Sequence, residues 1–132
     1  MSAIAALCAL ATAACGAHKA PQYPRQTNPT ASVDNLDPYS VEDIVASIGR
    51  AGLPVPNPRD VTSQECPEIG CIHKVHTDTI SLMKFPTPGK AQLYAAATEH
   101  RFQVADVVLT FSPTMTHNQQ LKYEVAVRGV VE

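Results

Sequence analysis

Cys66-Pro-Glu-Ile-Gly-Cys71 is the densest piece of potential chemistry in the chain. A loop this short can bring two thiols within bonding reach if Gly70 supplies the turn. A redox-active pair usually has two intervening residues and sits at the start of a helix, which lowers a thiol pKa. Here four residues intervene and a strand-like run follows. The spacing therefore favours a structural disulfide between Cys66 and Cys71 over a catalytic dithiol. His73, His76 and Asp78 follow closely and raise a metal reading. On a strand, however, residues three apart point to opposite faces, so His73 and His76 cannot converge on one ion, and His76 with Asp78 supplies only two ligands. His18, His100 and His117 are scattered. Ser81 and Ser112 lack a glycine-flanked elbow, and Glu65, Glu68 and Glu99 have no partner placed by spacing, so they are expected on a solvated surface. No residue is expected to be catalytic or metal-ligating by these patterns, and no motif requires a cofactor.

The other two cysteines bear on location. Residues 3–14, AIAALCALATAA, carry no charge and are followed at once by Cys15, Gly16, His18 and Lys19. A membrane span needs about 20 apolar residues, so this run fits the apolar region of a signal peptide. No Lys or Arg precedes it, which leaves open a true start upstream of Met1. Two cleavage readings compete. Ala11-Thr12-Ala13 offers an A-x-A site, whereas Thr12-Ala13-Ala14-Cys15 resembles the lipobox of bacterial lipoproteins, with Thr12 where that motif most often has leucine. The cysteine count favours the lipobox: Cys8 is discarded, Cys15 carries the lipid, and Cys66 and Cys71 pair in an oxidising compartment. Ordinary secretion, and a cytoplasmic chain with a buried apolar N-terminal helix, are the alternatives.

The chain has 132 residues, 45% of them hydrophobic, with 11 prolines, no tryptophan and a formal charge of −2. That is enough for one small domain plus unstructured sequence. Without a basic excess, nucleic acid is not an expected partner. The expected organisation is a signal peptide over 1–14, a lipid-anchored flexible linker over 15–38 rich in proline, and a small α+β domain over 39–132.

Within the domain, Ser40 with Asp43 reads as a variant capping box, and Val41, Ile44, Val45 and Ile48 form the stripe of a helix over 41–51. LPVPNPRD, with prolines at alternate positions, is a rigid connector that cannot be a central strand. Runs over 72–76 and 79–85 flank Thr77-Asp78 and predict a hairpin. Thr87 before Pro88 opens a second helix, with Ala91, Tyr94, Ala95 and Thr98 on one side. FQVADVVLTF reads as one strand, and a third helix over 117–130 puts Leu121, Val125 and Arg128 on one line. Helix, hairpin, helix, strand, helix implies a three-stranded mixed sheet, with the third strand parallel to the second through a right-handed crossover.

The run from SVEDIVASIGRAGLPVPNPRDVT through CPEIGC to SLMKFPTPGKAQLYA resembles a group of small actinobacterial, especially mycobacterial, predicted lipoproteins and secreted proteins of unknown function. The resemblance implies an envelope location and a shared fold, and carries over no catalytic residue. The expected function is that of a cell-envelope lipoprotein displaying a disulfide-stabilised binding or scaffolding domain, held to the membrane by Cys15. An exposed sheet edge would be offered to an envelope protein, peptide or glycan. The alternatives are a secreted redox protein or enzyme using Cys66 and Cys71, and an envelope metal-binding protein.

Overall fold

The structure, a computed structural model, describes residues 37–97 and 99–132. The expected signal peptide, the expected lipid-attachment residue Cys15 and the expected linker, as far as residue 36, lie outside the described residues. The elements are α1 (Val41–Arg50), β1 (Arg59–Asp60), α2 (Thr62–Ile69), β2 (His73–His76), β3 (Ile80–Lys84), α3 (Pro88–Ala96), β4 (Arg101–Val104), β5 (Val107–Phe111) and α4 (His117–Val131). No helix among the described residues is long and apolar enough to cross a membrane.

Local chemistry starts the helices. Ser40 and Asp43 form a reciprocal capping box on α1, and Thr116 with Gln119 does the same on α4. Thr87 caps α3 by accepting from the Lys90 N–H, with Pro88 in the first turn. Val41, Ile44, Val45 and Ile48 are all buried.

The strands form one antiparallel sheet in the order β1-β2-β3-β5-β4. This replaces the expected three-stranded mixed sheet, and two local events explain the difference. FQVADVVLTF is a hairpin, because the chain reverses at Ala105-Asp106, with Ala105 at a left-handed φ of 48° and Val104 paired to Val107. The reversal sets β5 antiparallel to β3. Arg59-Asp60, at the end of the proline connector, adds an edge strand beside β2. The prolines are tolerated because that position is an edge.

The fourth helix is the other addition. CPEIGC is not a loop throughout: Cys66 and Pro67 lie within α2, which stops at Gly70 in the left-handed region (φ 85°). Pro67 forfeits one helical donor and punctuates the sequence like a breaker. The Cys66 and Cys71 sulfurs are at disulfide distance, with Cα atoms 4.7 Å apart.

The helices cover the sheet from both sides. Between one face and α1 with α4 lie Val75, Leu82, Val107, Leu109, Tyr123 and Val127. Between the other face and α2 with α3 lie Cys66, Cys71, Met83, Phe85, Ala91 and Val108. On α4 the inward line is Tyr123–Val127, while Leu121 and Val125, expected on the core line, are exposed. The Tyr123 hydroxyl donates to the Pro54 carbonyl at 2.6 Å, which pins that rotation of the helix.

The domain's first described residue is tied down by charge. Asp37 and Asp106 are buried carboxylates, and Lys84 Nζ lies 3.8 Å from an oxygen of each. The ammonium also donates to the carbonyls of Asp37 and Tyr39, and the Asp37 N–H donates to Asp106 at 3.0 Å. Burial raises the Asp37 carboxyl above its ordinary value, against the lowering effects of the Tyr39 N–H and of Lys84.

Candidate functional site

The strand register aligns five polar side chains across the whole sheet. Arg59 pairs with His76, His76 with Ser81, Ser81 with Thr110, and Thr110 with Arg101. Directly paired residues project to the same face, so Arg59, His76, Ser81, Thr110 and Arg101 form one row. Strands lie about 4.8 Å apart, which makes the row roughly 19 Å long. The preceding row on this face runs through Lys74, Met83, Val108 and Gln103, and its apolar members pack in the cluster shared with α2 and α3. The row from Arg59 to Arg101 lies one register step beyond.

A cleft of about 310 Å³ opens over its middle. It is lined by His76, Ser81 and Thr110, by the β2–β3 turn and by the segment after β5; α2 and α3 contribute no lining residue. His76 Nδ1 and Ser81 Oγ share a hydrogen bond of 2.5 Å. The turn that forms one wall is rigid because the buried Thr77 hydroxyl donates to the Ile80 carbonyl and accepts from the Ile80 N–H. Asp78, at the rim, is held by Asn57 and by Arg59 at 3.4 Å. Arg101 lies over the Tyr94 ring, 3.9 Å from its centroid, and donates to the Tyr94 carbonyl. The cleft thus offers hydroxyls and an imidazole at its centre and the Asp78 carboxylate at its rim, while Arg59 and Arg101 end the row outside the cleft lining.

The residues singled out by sequence separate as strand alternation requires. His73 projects toward α1, where Nε2 is 2.7 Å from Glu42 Oε1 and 3.9 Å from Asp60 Oδ2, whereas His76 projects into the cleft. Asp78 joins neither histidine in a ligand set. His100 and His117 are exposed, as are Glu68 and Glu99. Glu65, expected on a solvated surface, keeps a 44% exposed side chain and also accepts from the buried Lys74 ammonium at 2.5 Å, anchoring α2 to β2. Ser81 is buried beside its imidazole partner, although no glycine elbow presents it.

Sequence reasoning missed Thr110 in the cleft, Arg59 and Arg101 at the ends of its row, and Glu42 and Asp60 beside His73. Period-2 alternation puts Lys74 with His76 on one face of their strand and Ser81 and Thr110 each on one face of theirs, but the alignment of these faces across strands depends on a register set by turns that were not recognised. Asp60, beside His73, accepts from the Thr62 N–H through Oδ1. Hydrogen bonds from Thr62, one of them the backbone N–H at 2.8 Å, hold its carboxyl below the usual range.

Cys66 and Cys71 are both buried in the cluster that contains Phe85. Cys66 lies past the first turn of α2, away from the helix N-terminus where a thiolate would be favoured. Closing so small a ring is worth roughly 2 kcal/mol by chain entropy. Replacing both cysteines by alanine is expected to lower the melting temperature by about 10 °C, which thermal unfolding followed by circular dichroism would measure. An unchanged midpoint would deny the pair a stabilising role.

Comparison with family models, with curated proteins and with solved structures finds no match to this chain.

Proposed function

We propose that this chain is a cell-envelope lipoprotein, anchored through Cys15, whose small disulfide-stabilised α+β domain binds a small anion-bearing ligand in the cleft over the sheet. The apolar run ending at Cys15 and the Cys66–Cys71 pair at bonding distance support the oxidising, extracytoplasmic part of this reading. The ligand part rests on one observation, the register that aligns Arg59, His76, Ser81, Thr110 and Arg101. Binding sites are concave and carry a few convergent polar groups. A carboxylate or phosphate seated at His76 and Ser81 would accept from imidazole and hydroxyl, with Arg59 one strand away. The β1 edge of the sheet is a weaker candidate for partner binding, since β1 has two residues and follows a proline.

Amide chemical shifts of the full chain, followed during titration with inorganic phosphate and with glucuronate, test the ligand reading. Saturable shifts confined to residues 76–81 and 110–112 are expected, and Ser81→Ala with His76→Ala should weaken binding at least about tenfold. No saturable shift at millimolar ligand would sink it. The mass of the N-terminal peptide from the native host tests the anchor: a lipid-modified Cys15 supports it and an unmodified peptide starting at Ala14 does not.

The 2.5 Å contact between Ser81 and His76 favours a second reading, hydrolysis with Ser81 as nucleophile and His76 as base. No carboxylate among the described residues hydrogen-bonds the far side of that ring to orient it, so binding is the better-supported function. Covalent labelling of Ser81 by a fluorophosphonate probe would reverse that order.

A further inference from the structure

We propose that Glu42, Asp60 and His73 form a site for a divalent cation of the zinc type, on the opposite face of the sheet from the cleft and independent of it. The three residues come from α1, β1 and β2, and one ligand atom from each lies within 4.8 Å of the other two. Tetrahedral zinc holds nitrogen and oxygen ligands at about 2.0–2.2 Å, which sets the ligand atoms roughly 3.4 Å from one another. The observed separations of 2.7 and 3.9 Å from His73 Nε2 straddle that value. Small side-chain rotations close the difference, and they are available because Glu42 and Asp60 are exposed.

Two further features favour an ion over a simple ion pair. Asp60 spends Oδ1 on the Thr62 N–H, which leaves Oδ2 directed at His73. Such an outer-shell hydrogen bond is how ligating carboxylates are commonly oriented. Lys84, opposite His73 in the ladder, is the cation that would oppose metal entry, but its ammonium is engaged by the carbonyls of Asp37 and Tyr39 and by the buried carboxylates. One imidazole nitrogen with two carboxylate oxygens suits zinc and its transition-metal neighbours better than calcium or magnesium, which prefer all-oxygen sets. Three protein ligands leave a fourth position to water. Bound there, the ion would clamp the first turn of α1 to the β1–β2 edge.

Calorimetric titration of the full chain with zinc chloride tests the site, with His73→Ala, Asp60→Asn and Glu42→Gln as variants. Because His18 and the N-terminal cysteines are also present in the full chain, the variants and a cobalt(II) spectrum assign the ligands. The expected result is one ion held at this site, with affinity falling at least about tenfold in H73A and in D60N, and cobalt bands of nitrogen–oxygen coordination without thiolate charge transfer. E42Q, at an exposed position, keeps the test alive if H73A fails to fold. No saturable binding, equal binding by wild type and the folded variants, or a cobalt spectrum dominated by thiolate charge transfer would overturn the proposal.

Discussion

Lys84→Met is expected to destabilise the domain by about 3–5 kcal/mol at neutral pH, because it leaves the buried carboxyls of Asp37 and Asp106 without their cation. In the native protein Lys84 Nζ stands 3.8 Å from one oxygen of each, and those two oxygens have no hydrogen-bond partner among the described residues. The ammonium is therefore the main compensation for two charges in a low-dielectric environment. Urea denaturation followed by circular dichroism would measure the loss, and a value below about 1 kcal/mol would show that the carboxyls are compensated by other means.

The pH dependence follows from the sign of the Asp37 shift. Its folded pKa is raised by burial, so its contribution to stability is fully present below the unfolded carboxylate value and is lost as pH rises through the raised one. Asp37→Asn should therefore stabilise the protein relative to wild type at neutral pH, with the gap closing in acid. The Lys84→Met loss should also shrink in acid, as the stranded Asp37 carboxyl takes up a proton. Asp43 and Asp60 act in the opposite sense. Hydrogen bonds from Ser40 and Thr62 lower their folded pKa values, so their contributions are lost as pH falls through those lowered values. Comparing Asp37→Asn with wild type at each pH cancels these two.

The second large effect is expected at Phe85, where truncation to alanine should cost about 3–5 kcal/mol. The ring is 1% exposed, 5.3 Å from the Tyr94 ring, and belongs to the small cluster that also buries the cysteine pair. That cluster has few members, so a lost aromatic ring is poorly refilled by its neighbours. Leu93→Ala on the adjacent α3, where the side chain is 75% exposed, should change stability by no more than about 0.5 kcal/mol. Equal effects at the two positions would mean that α3 does not pack on the sheet as described.

These two sites also show where sequence reasoning stopped. The stripe of α1, its capping box, the Thr87-Pro88 start of α3 and the hairpin around Thr77-Asp78 were legible because each is decided by residues within a turn or two of one another. The opposite projection of His73 and His76 was legible for the same reason, since strand alternation is local. Helix α2 was hidden by Pro67 and Gly70, which read as loop residues until packing of Cys66 against Met83 and Phe85 is taken into account. The β4–β5 reversal was hidden more deeply, because Ala-Asp is not a dipeptide that favours the left-handed turn Ala105 adopts.

The sequence by itself determined where α1, α3 and α4 begin, which residues of α1 face inward, and that Cys66 and Cys71 lie close enough to pair. Only the tertiary structure decided the five-stranded antiparallel order, the row from Arg59 to Arg101 and the meeting of Glu42, Asp60 and His73. The reason is physical: the turn at Ala105-Asp106 is held by contacts from distant residues, the Phe85 N–H to the Asp106 carbonyl at 2.8 Å and the Asp37 N–H to its side chain. Once that turn forms, the register of β5 follows, and the polar residues at the strand ends come into line.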